Sequence, residues 1–237
     1  MKKVISFSIY GDQPMYTVGL LRNLELSKNI YPDWKVYVYY NNTVPEDFIN
    51  QYKEFDNCEC FDMSNYNIPG MFWRFTPKDG VERFISRDAD SRLSMREKMA
   101  VDEWISSGKS LHIMRDHPHH DVCIFGGMFG LKINDDFILE YKINEWIVDK
   151  DKSLFNRMGD VYFLRDVVYP KYINGNEVLA HDSIYLNKYP FSKPFPTPME
   201  DYKFVGEIYN SDDSRYPQFM NWIGKKEIRN EKTIGDL

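Results

Sequence analysis

The first half of the chain alternates short β-rich runs with stretches of helical period, and this alternation leaves few folds open. Val4–Tyr10, Trp34–Tyr40, Cys58–Met63 and Glu82–Ser86 read as strands, each rich in β-branched or aromatic residues and closed by turn residues. Between them, Thr17 heads a helix whose buried side carries Val18, Leu21 and Leu24. Thr43-x-x-Glu46 is a capping box with Pro45 in its first turn, opening a helix to about Phe55. Pro69–Phe75 predicts a short helix, and a second box, Ser94-x-x-Glu97, starts one through Trp104 that stops near Gly108. Strands joined by helical crossovers pair in parallel, with the helices covering both faces. The expectation is an α/β fold, a single Rossmann-like αβα sandwich with a mostly parallel central sheet.

In the second half, Leu111–Met114 and Val122–Phe125 predict further strands around a His-rich loop. Helices are expected at about Asp135–Val148 and Asp160–Val168, with Tyr169-Pro170 as a stop. Beyond Tyr189 the pattern dissolves into Pro190, Pro194, Pro196 and Pro198. Residues 1–189 are therefore expected to form the domain, and 190–237 an irregular tail that wraps the same body.

The 237 residues are 43% hydrophobic, enough to build one sizeable core. Thirty Lys and Arg against 36 Asp and Glu give a net charge of −6, which argues against nucleic acid as a general partner. Cys58, Cys60 and Cys123 are too few for a disulfide framework, and Cys58-x-Cys60 lacks the further ligands of a zinc site. Met1–Tyr10 reads as a buried strand and not as a signal peptide. No apolar run approaches the roughly 20 residues that span a bilayer. A reduced, cytoplasmic protein without a transmembrane segment is expected.

The stretch that carries chemistry is Arg87-Asp88-Ala89-Asp90-Ser91-Arg92, placed where the fourth strand ends. Ligands of open α/β sheets bind at the carboxyl edge of the strands. Two carboxylates converging there suit a hard divalent ion, Mn²⁺ or Mg²⁺, that also takes phosphate oxygens. Arg87 and Arg92 then offer fork-shaped donors to the same phosphates. The plainer alternative is a charged turn leading into the Ser94 helix.

The order of motifs resembles the nucleotide-sugar-dependent glycosyltransferases of the GT-A fold over roughly residues 4–185. It runs through Tyr10-Gly11-Asp12, Arg74, Asp88-x-Asp90, Phe125-Gly126-Gly127, Gly159-Asp160 and His181-Asp182-Ser183. The resemblance implies a nucleoside-diphosphate sugar (UDP- or GDP-linked) as donor and a glycan hydroxyl as acceptor. It implies that Asp88 and Asp90 hold the metal and donor, with His181 as a third metal ligand. It further implies that Tyr10 and Asp12 hold the nucleoside, that Arg74 contacts the donor, and that Gly126-Gly127 lets backbone pass close to sugar. Asp160 is implied as the catalytic carboxylate below the reacting carbon. Asp182-Ser183 stands where many such enzymes have Gly and Lys.

Four of the five histidines fall within His112–His120. Pro118 breaks helical geometry there, so a polar or acceptor-binding loop is expected over a zinc site, with Arg115, Asp116 and His117 as acceptor contacts. Two rivals stay open, a non-catalytic sugar- or nucleotide-binding module and a nucleotidyltransferase, although Gly11-Asp12-Gln13-Pro14 lacks the Gly-rich basic loop that cradles a triphosphate.

Overall fold

The computed structural model describes residues 2–77, 80–148, 150 and 158–223. Strands β1 (Lys2–Ile9), β2 (Lys35–Tyr40) and β3 (Cys58–Asp62) alternate with helices α1 (Pro14–Ile30) and α2 (Glu46–Lys53). A 3₁₀ segment, Gly70–Phe75, leads into β4 (Val81–Arg87), then α3 (Met95–Ser107), β5 (Leu111–Arg115) and β6 (Met128–Lys132). Helix α4 (Leu139–Ile147) follows, then α5 (Gly159–Phe163), α6 (Tyr169–Ile173), β7 (Val178–Asp182) and β8 (Ser192–Lys193). The sheet order is β3-β2-β1-β4-β6-β5-β7-β8, and only β6 runs against its neighbours. This is the expected α/β architecture with a mostly parallel sheet.

Alternation along β1 divides the core. Ile5, Phe7 and Ile9 join Leu20, Leu24, Val36, Val38 and Trp104 on the face covered by α1, α2 and α3. Val4 lies with Phe72, Phe75, Phe84, Phe129 and Phe163 on the other. Ser6 and Ser8, which interrupt the apolar run, share that second face and work as anchors. Ser6 Oγ donates to the carbonyl of Arg74 at 2.6 Å, and Arg74 N donates to Ser8 Oγ at 2.9 Å.

Four local readings are corrected. Helix α1 starts at Pro14, so Thr17 lies inside it and its hydroxyl bonds back to Gln13 O. Thr43 does not cap α2, whose N-cap is Pro45; its hydroxyl accepts from Gly11 N at 2.7 Å and ties the turn after β1 to the turn after β2. Val122–Phe125 is loop, because the sheet takes Met128–Lys132 instead. Tyr169-Pro170 does not end the helix. Leu164–Val168 widens into a π-helical turn, and a new helix starts with Pro170 in its first turn, where its missing N–H goes unneeded. The box at Ser94 does form: its hydroxyl accepts from Glu97 N, and Gly108 closes the helix in the left-handed region at φ 72°.

Residues 190–223 pack across the carboxyl edge of the sheet, whereas 224–237 of the expected tail lie outside the described residues. One of their anchors is the buried Asp116 carboxylate. It accepts from Arg96 Nε and Nη2, both at 2.8 Å, from Ser183 Oγ at 2.6 Å and from Val205 N at 2.9 Å.

Candidate active site

The chain leaves β1 for α1 on one side and returns to β4 on the other, so the crevice between the ends of β1 and β4 is a switch point of the sheet. A cleft of about 680 Å³ opens there. Because β6 runs backwards, its beginning, Gly126-Gly127-Met128, lies at the same edge as the ends of β1, β4 and β5.

Of the residues singled out from sequence, Tyr10, Arg74, Asp88, Asp90, His117, Gly126, Gly127 and Asp160 line this cleft. Arg74 holds two carboxylates at once: Nη1 donates to Asp88 Oδ1, and Nη2 to Asp160 Oδ2 at 3.0 Å. Burial pulls the guanidinium pKa down, but the two carboxylates outweigh it and leave it above its ordinary value. Burial raises the Asp160 carboxyl, with Arg74 opposing and Asp88 adding to the rise. Burial, reinforced by Asp88, pushes Asp90 up to about 7.

The two glycines are required by close approach. A Cβ on Gly126 would overlap Asp160 Oδ2 and stand 2.6 Å from Arg74 Nη2; one on Gly127 would overlap the Asp88 carboxylate. Ser86 Oγ, donating to Gly126 O at 2.6 Å, fixes this turn against β4. Gly126→Ala is therefore expected to destabilise the protein by about 2 kcal/mol through overpacking, because the Asp160 and Arg74 side chains it would meet are buried. Thermal melts check this, and an unchanged Tm would show that the turn yields freely.

Asp88 and Asp90 present the hard oxygen donors that a divalent cation selects, and Asp90 has no ion-pair partner among the described residues. The pair fits Mn²⁺ or Mg²⁺, with waters and phosphate oxygens completing the shell. Among the described residues, however, no group of three His, Cys, Asp or Glu could hold a metal on its own.

His181 does not join the aspartates. It is fully buried on β7, its Nδ1 2.8 Å from His112 Nε2 and its Nε2 3.1 Å from Glu103 Oε2. Arg87 does not reach phosphate either; it points under α3, where Nε donates to Glu97 Oε1 at 3.0 Å and both side chains are 2% exposed. Arg115 is committed to Asp182 and to Cys123 O, so neither it nor the tail anchor Asp116 is free to meet an acceptor. Asp12 is exposed in the turn after β1 and is not among the lining residues. Arg92 pairs with Asp213 at 2.9 Å.

The histidines are local fasteners. His117 Nδ1 accepts from His119 N at 3.0 Å, which makes Nε2 the donor to Phe219 O at 3.1 Å. His120 Nδ1 accepts from Asp116 N at 3.0 Å. Burial lowers the pKa of both, that of His120 to about 3, so both are neutral at pH 7. Among the described residues, Arg74 is the sole Lys or Arg lining the cleft.

Several contributors were not foreseen from sequence: Tyr16 and, from the tail, Phe204, Gly206, Ile208 and Phe219 also line the cleft, as does His119 of the His-rich loop. Asn23, 1% exposed on α1, donates to Ala89 O at 3.3 Å and Ser91 O at 2.8 Å and accepts from Leu93 N at 2.9 Å, so it fixes the backbone around Asp90. Tyr209 N donates to Asp90 O at 2.9 Å from the opposite side.

No protein-family profile matches the chain, and no curated protein does. Solved structures give distant likenesses. S. aureus TarS 1–349 in complex with UDP is 9% identical, covering 78% of this chain and 59% of that one, with a TM-score of 0.47. In its UDP-GlcNAc complex the likeness spans about a third of the TarS chain (34%) and 48% of this one, at 13% identity and a TM-score of 0.37. The 4-diphosphocytidyl-2C-methyl-D-erythritolsynthase from Anaerococcus prevotii is 10% identical over 81% of this chain and 91% of that one, with a TM-score of 0.47. A glycosyltransferase involved in glycosylating the major capsid of PBCV-1 is 15% identical over 77% and 82%, with a TM-score of 0.40. Likenesses of this degree assign no role to any residue.

Proposed function

We propose that the protein is a metal-dependent glycosyltransferase that moves a sugar from a UDP- or GDP-linked donor to a glycan hydroxyl. The observation that carries this reading is Arg74 bridging Asp88 and Asp160 at the sheet's switch point, with Asp90 lining the same cleft. Three acidic side chains beside one arginine whose Nη groups are already bonded favour a diphosphate that arrives with a cation. In this reading Asp88 and Asp90 hold Mn²⁺ or Mg²⁺, which supplies charge neutralisation to the departing diphosphate.

Tyr10, 46% exposed at the mouth, offers its ring to the nucleoside, and Arg74 offers its fork to the donor. As the bond from the anomeric carbon to the diphosphate breaks, the acceptor oxygen bonds to that carbon. Asp160 takes the acceptor proton, a role suited to a buried carboxylate of raised pKa, or steadies the positive charge developing on the sugar. His117 borders the acceptor side. The free thiols of Cys58, Cys60 and Cys123 are in keeping with work in the cytosol, and no described helix is long and apolar enough to cross a membrane.

Thermal unfolding with Mn²⁺ or Mg²⁺ and a panel of UDP-, GDP- and CMP-sugars and CTP tests the reading. One diphosphate sugar is expected to raise Tm by several degrees, only with metal. A shift with CTP alone would favour a nucleotidyltransferase. A metal-independent shift, or none, would favour a binding module.

A further inference from the structure

Arg74 stands between two carboxylates that the proposed reaction uses separately. Its fork is held by Asp88, by Asp160 and by the carbonyl of Arg87 at 3.1 Å, while Nε has no partner among the described residues. Asp88 gives Oδ1 to Arg74, and its Oδ2 lies against Gly127, where a Cβ would overlap it. Asp90, its intended companion, has no ion pair among the described residues. A divalent ion shared by the two aspartates therefore competes with Arg74 for the Asp88 carboxylate. The two side chains differ in their freedom to do this. That of Asp88 is 48% exposed and can turn, whereas that of Arg74 is 9% exposed on a backbone pinned by Ser6 and Ser8.

We propose that Arg74 is a built-in competitor for the metal, clasping Asp88 to Asp160 in the empty cleft and giving up Asp88 when a divalent ion binds. Loading thus exchanges one cation on Asp88 for another and releases one Nη1 N–H for an anionic ligand beside the ion, the other staying on the Arg87 carbonyl. The clasp also keeps the three carboxylates from repelling one another before the ion arrives. The inference rests on the reading that Asp88 and Asp90 hold the metal, and it has an uncommon sign: removing a conspicuous site residue should strengthen binding. An arginine that merely orients Asp88 would act in the opposite direction.

Direct Mn²⁺ titration, by calorimetry or by the loss of the free-ion paramagnetic resonance signal, needs no turnover. It is applied to the parent, Arg74→Met, Arg74→Lys and Asp90→Asn. Arg74→Met is expected to tighten Mn²⁺ binding by about tenfold or more. Arg74→Lys should tighten it severalfold, because an ammonium keeps the charge but cannot span both carboxylates as a fork. The lysine variant separates a clasp from a plain effect of net charge and carries the test if the methionine variant does not fold. Unchanged or weaker binding in both variants, with Asp90→Asn still weakened, would overturn the clasp and leave the metal reading intact. Equal binding by Asp90→Asn and the parent would instead overturn the metal reading and this inference with it. If the parent binds too weakly to measure, an Asp90-dependent gain in Arg74→Met supports the clasp, and no gain refutes it.

Discussion

Asp90→Asn is expected to lower sugar transfer by about 10³-fold, the scale of several kcal/mol that a lost metal contact removes from a transition state. The same change should make the empty protein more stable at neutral to alkaline pH. Burial and the neighbouring Asp88 raise the Asp90 pKa to about 7, whereas an unfolded chain releases this proton near 4. The folded state therefore binds more protons across that interval, and stability falls as pH rises through it. An asparagine carries no such liability. Its Tm should exceed the parent's at pH 8, with an upper bound of about 4 kcal/mol, and the two should converge by pH 4. Melts at pH 4, 6 and 8 without metal measure this, and a parent more stable than the variant at pH 8 would refute it. Mn²⁺ affinity should also weaken below pH 7, because the ion must displace the proton.

The second large effect lies away from the cleft. Glu97→Ala removes the partner of Arg87 in a pair whose members are each 2% exposed, and it also strands the Tyr31 hydroxyl, which donates to Glu97 Oε1 at 3.1 Å. Leaving a buried cation unpaired costs about 3–5 kcal/mol, a fall in Tm of about 6–20 °C for a chain of this size. The double change Arg87→Met with Glu97→Leu should recover most of that loss, since an apolar pair of similar volume avoids desolvating two charges. The double variant should also keep the parent's Mn²⁺ and nucleotide-sugar binding. Loss of donor binding in a folded double variant would return Arg87 to the site.

These two residues mark how far the sequence could be read. The place of Asp88 and Asp90 in the cleft was legible because they follow an apolar strand in an alternating chain, and strand ends are where such sheets bind. Arg87 was not legible, because every residue of β4 but one is buried and alternation could not say which face it took. The deciding fact was its partner ten residues on, and Glu97 had a local explanation as the third residue of a capping box. His181 failed for a similar reason. Only the register pairing His181 with Met114 and Asp182 with Arg115 shows that β7 turns this histidine inward, toward His112. The tail residues that line the cleft sit among prolines and glycines without period, so nothing local announced Phe204 or Phe219. Ser6 and Ser8 looked like breaks in an apolar strand, yet they are what hold Arg74 in place.

The bond from Tyr209 N to Asp90 O, with the tail's share of the cleft lining, also sets a schedule for biosynthesis. A ribosome emits β1 through β4 early, and that part of the sheet can pair while most of the chain is still unmade. The walls contributed by Phe204, Gly206, Ile208 and Phe219 arrive more than a hundred residues after Asp90. The loop that bears Asp88 and Asp90 is therefore made well before the segment that covers it. That side of the cleft is complete only once Val205 has reached Asp116 and Tyr209 has reached Asp90.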